Sequence, residues 1–121
     1  MRATFPAAAR LHRPSEYASA LKGRRLARGA LFVVMTPRGN DALEGQGSRL
    51  GLIIAKRFAA RAVTRNAIKR VLREAFRQKK HLLPERDLVF RLHSRIGPVT
   101  LTQLKKQVRL EADALLDKAA Q

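Results

Sequence analysis

From Arg65 to Arg77 the chain reads Arg-Asn-Ala-Ile-Lys-Arg-Val-Leu-Arg-Glu-Ala-Phe-Arg, and this stretch has the period of an α-helix. At about 100° per residue, one side of such a helix is apolar and the opposite side is cationic. The apolar side consists of Ala67, Ile68, Val71, Leu72 and Ala75, and the polar side of Asn66, Lys69, Arg70, Arg73 and Arg77. The helix should therefore pack into a core with one side and present positive charge with the other.

Short apolar runs before and after this helix predict a mixed α/β fold. Aliphatic and β-branched residues predict strands over 31–36, 50–55 and 87–92, and the cationic helix should extend over 62–80. A strand, a long helix and a strand in one sheet need a crossover connection, so part of the sheet should be parallel.

Capping patterns predict two further helices, one at each end of the chain. Ser15 is suited to begin a short helix that Gly23 ends. Thr100 and Gln103 have the spacing of a capping box that begins a last helix. The apolar face of this last helix should consist of Leu101, Leu104, Val108, Ala112 and Leu115. The predicted order of elements is α, β, β, α, β, α.

The composition predicts one basic domain over residues 1–121, with residues 1–13 as an extended or partly flexible N-terminal segment. The 26 Lys and Arg against 9 Asp and Glu give a formal net charge of +17, which favours partners that carry phosphate. The 45% of hydrophobic residues are enough for a core. The lack of cysteine excludes disulfides and zinc-thiolate sites. Without an apolar run of membrane-spanning length or a signal peptide, we expect a cytoplasmic protein.

The acidic residues and histidines do not form a recognisable catalytic or metal-binding motif. Glu111, Asp113 and Asp117 are interpreted as the solvated surface of a helix. His12, His81 and His93 are far apart in the sequence and lack the spacing of metal ligands. We therefore predict no catalytic residue, no metal site and no cofactor bound by the protein alone.

The basic residues are concentrated between Lys56 and Lys80, where ten Lys or Arg face a single acidic residue, Glu74. Arginine binds phosphate oxygens in a bidentate manner, so an arginine-rich face favours a nucleic acid. The residues predicted to form this surface are Lys56, Arg57, Arg61, Arg65, Asn66, Lys69, Arg70, Arg73 and Arg77. A membrane-surface helix is disfavoured because the core needs its apolar side. DNA is disfavoured because no preceding helix gives a helix-turn-helix spacing.

With five Phe, one Tyr and no Trp, base stacking along a single strand cannot be the whole mechanism. Tyr17 is the best exposed candidate for stacking. For Phe32, Phe58, Phe76 and Phe90, packing in the core is the favoured interpretation.

Three stretches closely resemble the protein subunit of bacterial ribonuclease P. They are Arg-Leu-Gly-Leu at 49–52, Ala-Lys-Arg at 55–57 and the segment 62–77, in which Arg-Asn, Lys-Arg and Arg-Glu recur two residues apart. Leu83-Pro84 and Asp87 also match, and the resemblance covers nearly the whole chain.

This resemblance implies a ribonucleoprotein endonuclease that removes the 5′ leader from precursor tRNA, and from other small RNA precursors. Catalysis would belong to an RNA subunit and its Mg²⁺ ions, which the holoenzyme requires. The protein would bind this catalytic RNA and the single-stranded leader, and neither DNA nor a membrane. A ribosomal or architectural RNA-binding protein without enzymatic role is the alternative that the composition equally permits.

The resemblance also implies which residues face each RNA. Arg65, Asn66, Lys69, Arg70 and Arg73 would face the catalytic RNA. A cleft for the leader would be lined by Tyr17, Leu21, Phe32, Met35 and Lys56. Leu21 and Met35 depart from the family pattern, in which aromatic residues are common at these positions.

The implied fold is an α/β sandwich with a mixed, mainly four-stranded sheet in the order α-β-β-(β)-α-β-α and a left-handed βαβ crossover. The residues alone favour the right-handed connection of nearly all such units. The handedness is thus an expectation from resemblance only.

Overall fold

The computed structural model describes residues 23–36, 49–83 and 87–120. Its elements, in chain order, are β1 (Arg24–Arg28), β2 (Phe32–Thr36), β3 (Arg49–Ile53), α1 (Ala62–Lys79), a 3₁₀ turn (Lys80–Leu82), β4 (Asp87–Leu92) and α2 (Leu101–Ala119). The mixed fold with a four-stranded sheet is confirmed. The short helix predicted before Gly23 and the N-terminal segment 1–13 lie outside the described residues.

The four strands form one sheet in the order β1-β2-β4-β3. β2 pairs antiparallel with β1 and with β4, whereas β3 and β4 are parallel. α1 lies in the connection between these two parallel neighbours, so the predicted crossover is confirmed. Its left-handedness stays a prediction.

β1 lacks the apolar pattern of a strand, because Leu26 and Ala27 are its only apolar residues. β1 lies at the edge of the sheet, pairs only with β2, and contains an irregularity between Arg25 and Ala27. An edge strand needs fewer apolar residues than a central one, and charged residues along it block pairing with other chains.

The core lies between one face of the sheet and the two helices. Phe32 and Val34 of β2 and Phe90 of β4 lie on this face, and all three are at most 1% exposed. α1 contributes Ile68, Leu72, Ala75 and Phe76, and α2 contributes Leu104, Val108, Ala112, Leu115 and Leu116. The predicted apolar side of α1 is thus confirmed, with Val71 half-buried at its margin.

α2 begins as predicted. The Thr100 hydroxyl accepts a hydrogen bond from the Gln103 backbone N–H, and the Gln103 side chain accepts one from the Thr100 backbone N–H. The prediction that Leu101 lies on the buried face is wrong. Leu101 is the first residue of α2, lines a surface cavity beside α1 and is 39% exposed.

Two long-range contacts tie the sheet and helices together. The Arg49 guanidinium donates two hydrogen bonds to Asp87 Oδ1 and Oδ2, at 2.8 and 2.7 Å, across the start of the parallel pair β3–β4. Glu111 of α2 accepts hydrogen bonds from the backbone N–H groups of Leu31 and Phe32, in the hairpin between β1 and β2. In each contact a charged side chain is the hydrogen-bond partner of a partly buried polar group, which would otherwise be left unsatisfied.

Candidate nucleic-acid interface

The cationic side of α1 faces away from the core. Asn66 and Arg70 are exposed, whereas Lys69 and Arg73 are half-buried. From Asn66 to Arg77 this row of polar residues is about 16 Å long, at 1.5 Å per residue. The structure therefore brings the predicted residues of α1 together on one accessible surface.

The N-terminus of α1 adds to this positive surface. Arg61 occupies the N-cap position without a capping side chain, and no acidic residue lies in the first turn. The first backbone N–H groups of a helix have no intrahelical acceptor and carry a partial positive charge, which favours anions. Arg61 is itself exposed beside these groups.

Arg65 has a structural task besides its charge. Its Nη1 donates hydrogen bonds to the backbone carbonyls of Ala59 and Ala60, at 3.0 and 2.8 Å. These bonds hold the loop that leads into α1 against the helix. The same loop is joined to the segment after β4, because the Ile96 N–H donates to the carbonyl of Phe58 at 2.8 Å.

Lys56 and Arg57 lie in this loop, directly after β3, and both are exposed. The Arg57 guanidinium carbon is 4.7 Å from the centre of the Phe58 ring, a cation–π contact that orients the arginine. Phe58 is half-buried against the core, which agrees with packing as its main role. The loop thus extends the positive surface beyond the N-terminus of α1.

Arg77, at the other end of the row, is engaged with an acidic neighbour. Its guanidinium donates hydrogen bonds to both carboxylate oxygens of Glu74, one of them at 3.0 Å. The hydrogen bond from Arg77 holds the pKa of the Glu74 carboxyl below its ordinary value, and the same contact raises the pKa of Arg77. At neutral pH both groups are charged, so Glu74 offsets much of the charge that Arg77 could offer to a partner.

α2 borders this surface, which the residue pattern of the sequence does not predict. A cavity of ≈ 530 Å³ is lined by residues of α1 and, from α2, by Leu101 and Lys105. The residues of α1 in its wall are Val63, Asn66, Ala67, Lys69, Arg70 and Arg73. Lys105 and Lys106 are recognisable in the sequence as two adjacent cations. The helical period of α2 does not reveal that they lie beside α1.

The leader-binding residues implied by resemblance are only partly placed. Tyr17 and Leu21 lie outside the described residues. Met35 is half-buried on the sheet face opposite to the two helices, since side chains alternate along β2. Phe32 requires a correction: it lies on the other face, is 0% exposed and packs 6.3 Å, centre to centre, from the Phe90 ring. Phe32 is a core residue and cannot line a cleft together with Met35.

Glu111, which the sequence suggests is a solvated surface residue, instead holds the β1–β2 hairpin together with His93. Glu111 accepts hydrogen bonds from Leu31 and Phe32, the shorter at 2.7 Å. His93 Nε2 lies 2.9 Å from the carbonyl oxygen of Gly29. Gly29 is needed here because a Cβ atom would lie 2.6 Å from Glu111 Cδ. Sequence periodicity cannot detect such contacts because their partners are 64 to 80 residues apart.

The other acidic residues of α2 make surface ion pairs. Asp113 pairs with Arg109 and Asp117 with Lys79. Across residues 23–36, 49–83 and 87–120, no three His, Cys, Asp or Glu side chains are placed so that they could hold a metal ion. Within these same ranges no helix is long and apolar enough to cross a membrane.

Comparisons with known proteins agree with this architecture. The family model described as Ribonuclease P matches residues 5–119. The ribonuclease P protein component of Bordetella avium is 61% identical over 98% of this chain and 97% of its own, and that of Bordetella parapertussis is 59% identical over 98% of both. The solved structure of the Staphylococcus aureus RNase P protein superposes with a TM-score of 0.71 at 25% identity, covering 93% of this chain and 98% of its own. Since the family model spans almost the full chain, this protein belongs to the ribonuclease P protein family.

Proposed function

We propose that this chain is the RNA-binding protein subunit of ribonuclease P and assists a catalytic RNA in removing the 5′ leader from precursor tRNA in the bacterial cytoplasm. The observation that carries the proposal is the continuous cationic surface from Lys56 through Arg61 to Arg73. It is formed by a loop, an uncapped helix terminus and one side of α1.

The chemistry of this surface fits the phosphates of a folded RNA. Exposed guanidinium groups bind phosphate oxygens, and the first N–H groups of α1 offer further donors beside Arg61. Asn66 adds an amide that can both donate and accept, which suits a ribose hydroxyl or a base edge. The protein would thus offset repulsion between two RNAs, the catalytic subunit and the precursor tRNA.

The chemical step is assigned to the RNA subunit and to Mg²⁺ bound within the holoenzyme. We propose that the protein alone binds no cofactor and does not cleave RNA. Its contribution would be binding energy, which improves substrate affinity and lowers the Mg²⁺ concentration at which the RNA works.

The leader is proposed to lie along the sheet face that carries Met35. Lys56, in the loop that follows the edge strand β3, would supply a phosphate contact to the leader. Tyr17 and Leu21 keep their proposed roles through resemblance, whereas Phe32 no longer has one. Met35 offers a polarizable thioether in place of the aromatic ring common in the family.

Reconstitution tests the proposal. The full chain is added to a bacterial ribonuclease P RNA at low Mg²⁺, and cleavage of precursor tRNA is measured with and without the protein. We expect stimulation only when both subunits are present. RNA binding without any stimulation would instead favour a ribosomal or architectural RNA-binding protein.

Single substitutions test whether the cationic surface of α1 binds the catalytic RNA. Arg70→Ala should weaken binding to the catalytic RNA and lower the slope of log affinity against log salt by about 0.7–0.9, the loss of one phosphate contact. Lys118→Ala, an exposed cation on α2 outside this surface, is the matched control. Equal effects of the two substitutions would mean that α1 is not the RNA interface.

A further inference from the structure

A groove runs between α1 and α2 and continues the cationic surface across both helices. It comprises two adjoining cavities of ≈ 530 Å³ and ≈ 650 Å³, which share Ala67, Arg70 and Lys105 in their walls. Among the residues that the structure describes, no acidic, aromatic or histidine side chain contributes to the first cavity, and Glu74 is the one acid in the second.

The floor of the groove is apolar and open. Ala67 and Val71 of α1 form this floor, and Leu110 of α2 lines the groove beside them. Leu110 is 74% exposed, more than any other large hydrophobic residue of the described chain. Single exposed leucines are common, but a leucine over an apolar floor in a groove indicates a place where an apolar group of a partner can be buried.

The rims of the groove are cationic. Arg70 lies on the α1 side, and Lys105 and Lys106 lie on the α2 side. None of these three cations makes an ion pair within the described parts of the chain. At the far end the charges are paired: Arg77 with Glu74, and Arg109 with Asp113 and Gln78. Unpaired positive charge is therefore concentrated where the groove meets the row of α1.

We propose that this groove receives an unstacked nucleobase of the bound RNA, with the adjoining phosphates on Arg70, Lys105 and Lys106. Bases in loops and bulges of RNA can be turned out of the stack and present a flat, weakly polar face between charged phosphates. An apolar floor between cationic rims matches this pattern. This inference rests on the proposed function and adds α2 as a second RNA-binding element.

An RNA fits better than an acidic amphipathic peptide because the groove is continuous with the larger cationic surface. Arg70 and Lys105 belong to both cavities, so a strand bound along Asn66 and Lys69 would reach the groove without leaving positive potential. A peptide would use only the groove.

The first experiment measures affinity of the full chain for a ribonuclease P RNA over a range of salt concentrations. Leu110→Ser should weaken binding roughly fivefold with an unchanged salt slope, because a partly buried leucine contact is lost and no charge changes. Leu82→Ser is the matched control, since Leu82 is 59% exposed in the 3₁₀ turn and lies in neither cavity. Equal affinities of the Leu110 and Leu82 variants would overturn the proposal.

The rims are tested by the double substitution of Lys105 and Lys106 with alanine. It should lower the salt slope by about 1.4–1.8, the loss of two phosphate contacts, whereas Lys118→Ala should leave it unchanged. Arg61→Ala separates this inference from the proposed function, since Arg61 belongs to the α1 surface but lies outside the groove. If Arg61→Ala weakens RNA binding while the groove variants do not, only the groove assignment fails. If none of them weakens it, both fail.

A second experiment asks whether a base enters the groove. Methyl NMR spectra of the full chain are recorded with a pentaadenylate and with an abasic pentanucleotide of the same charge. The Leu110 and Val71 methyl signals should shift with the pentaadenylate only, and the Leu82 methyls with neither. Equal shifts with both probes would mean that only the phosphates contact the groove, which would overturn base binding. Shifts caused only by an acidic amphipathic peptide would identify a peptide groove instead.

Discussion

At the scale of single residues, the positive surface of α1 contains arginines with different freedom to bind a partner. Arg70 has no ion-pair partner in the described chain, whereas Arg77 is bonded to Glu74 and Arg65 uses one of its nitrogens to hold the preceding loop. Sequence periodicity treats these residues as equivalent. Their side-chain partners decide how much charge each one offers to RNA.

Glu74→Gln should therefore strengthen RNA binding, because it removes the acid that neutralises Arg77. We expect a few-fold gain in affinity and a larger effect of Arg77→Ala in this variant than in the unmodified chain. Binding assays with a ribonuclease P RNA at fixed salt measure both. A loss of affinity in Glu74→Gln would mean that the pair itself contacts the RNA.

The same variant makes a prediction for pH dependence. The pKa of Glu74 is lower in the folded chain than when unfolded, so the pair stabilises the fold above the unfolded pKa and this contribution is lost as pH falls through the folded pKa. Since Glu74 is 44% exposed, the contribution should be small. Thermal unfolding of Glu74→Gln between pH 3 and 7 should lack this part of the acid dependence.

At the scale of elements, much of the fold is predictable because local signals and burial agree. The apolar side of α1, strand β4 over Asp87–Leu92 and the capping box at Thr100 all follow from residue spacing. β1 does not, since an edge strand can consist largely of arginine. Leu101 is assigned to the wrong side because helical period alone does not say which residues of the first turn of α2 reach the core.

The parallel pair β3–β4 depends on the Arg49–Asp87 contact, which lies at its first register position. Asp87 is 5% exposed, so Asp87→Ala removes a buried carboxylate that accepts two hydrogen bonds from the partly buried Arg49 guanidinium. We expect a loss of roughly 3 kcal/mol in the free energy of unfolding. Urea denaturation measures it.

Asp117→Ala is the control for this prediction. Asp117 pairs with Lys79 but is 62% exposed, and such surface pairs contribute at most about 1 kcal/mol. If both substitutions lower the free energy of unfolding by the same amount, burial of Asp87 does not determine the strength of its pair with Arg49.

At the scale of the whole molecule, a charge of +17 on 121 residues works against folding, because like charges come closer together in the compact state. An anion that binds the folded surface should counter this effect. Low-millimolar sulfate should raise the melting temperature by roughly 4 °C relative to chloride at equal ionic strength. Differential scanning fluorimetry measures this difference.

Substituting both Arg61 and Arg70 with alanine should remove most of this sulfate effect, since it deletes charge at the N-terminus and on the row of α1. A full effect in the double variant would indicate that sulfate acts elsewhere or by exclusion from the protein surface. The candidate site thus affects both binding and stability. The positive charges that predict RNA binding also lower the stability of the folded chain when no RNA is bound.

Gly29 and Glu111 are coupled, because a substitution of either residue alone should disturb the β1–β2 hairpin. Alanine at Gly29 collides with the glutamate, and alanine at Glu111 leaves the hairpin N–H groups of Leu31 and Phe32 without their acceptor. In a double-mutant cycle, Gly29→Ala should destabilise the chain strongly when Glu111 is present and only slightly in the Glu111→Ala background. The two positions, 82 residues apart in sequence, should therefore be inherited as one unit during divergence of the family.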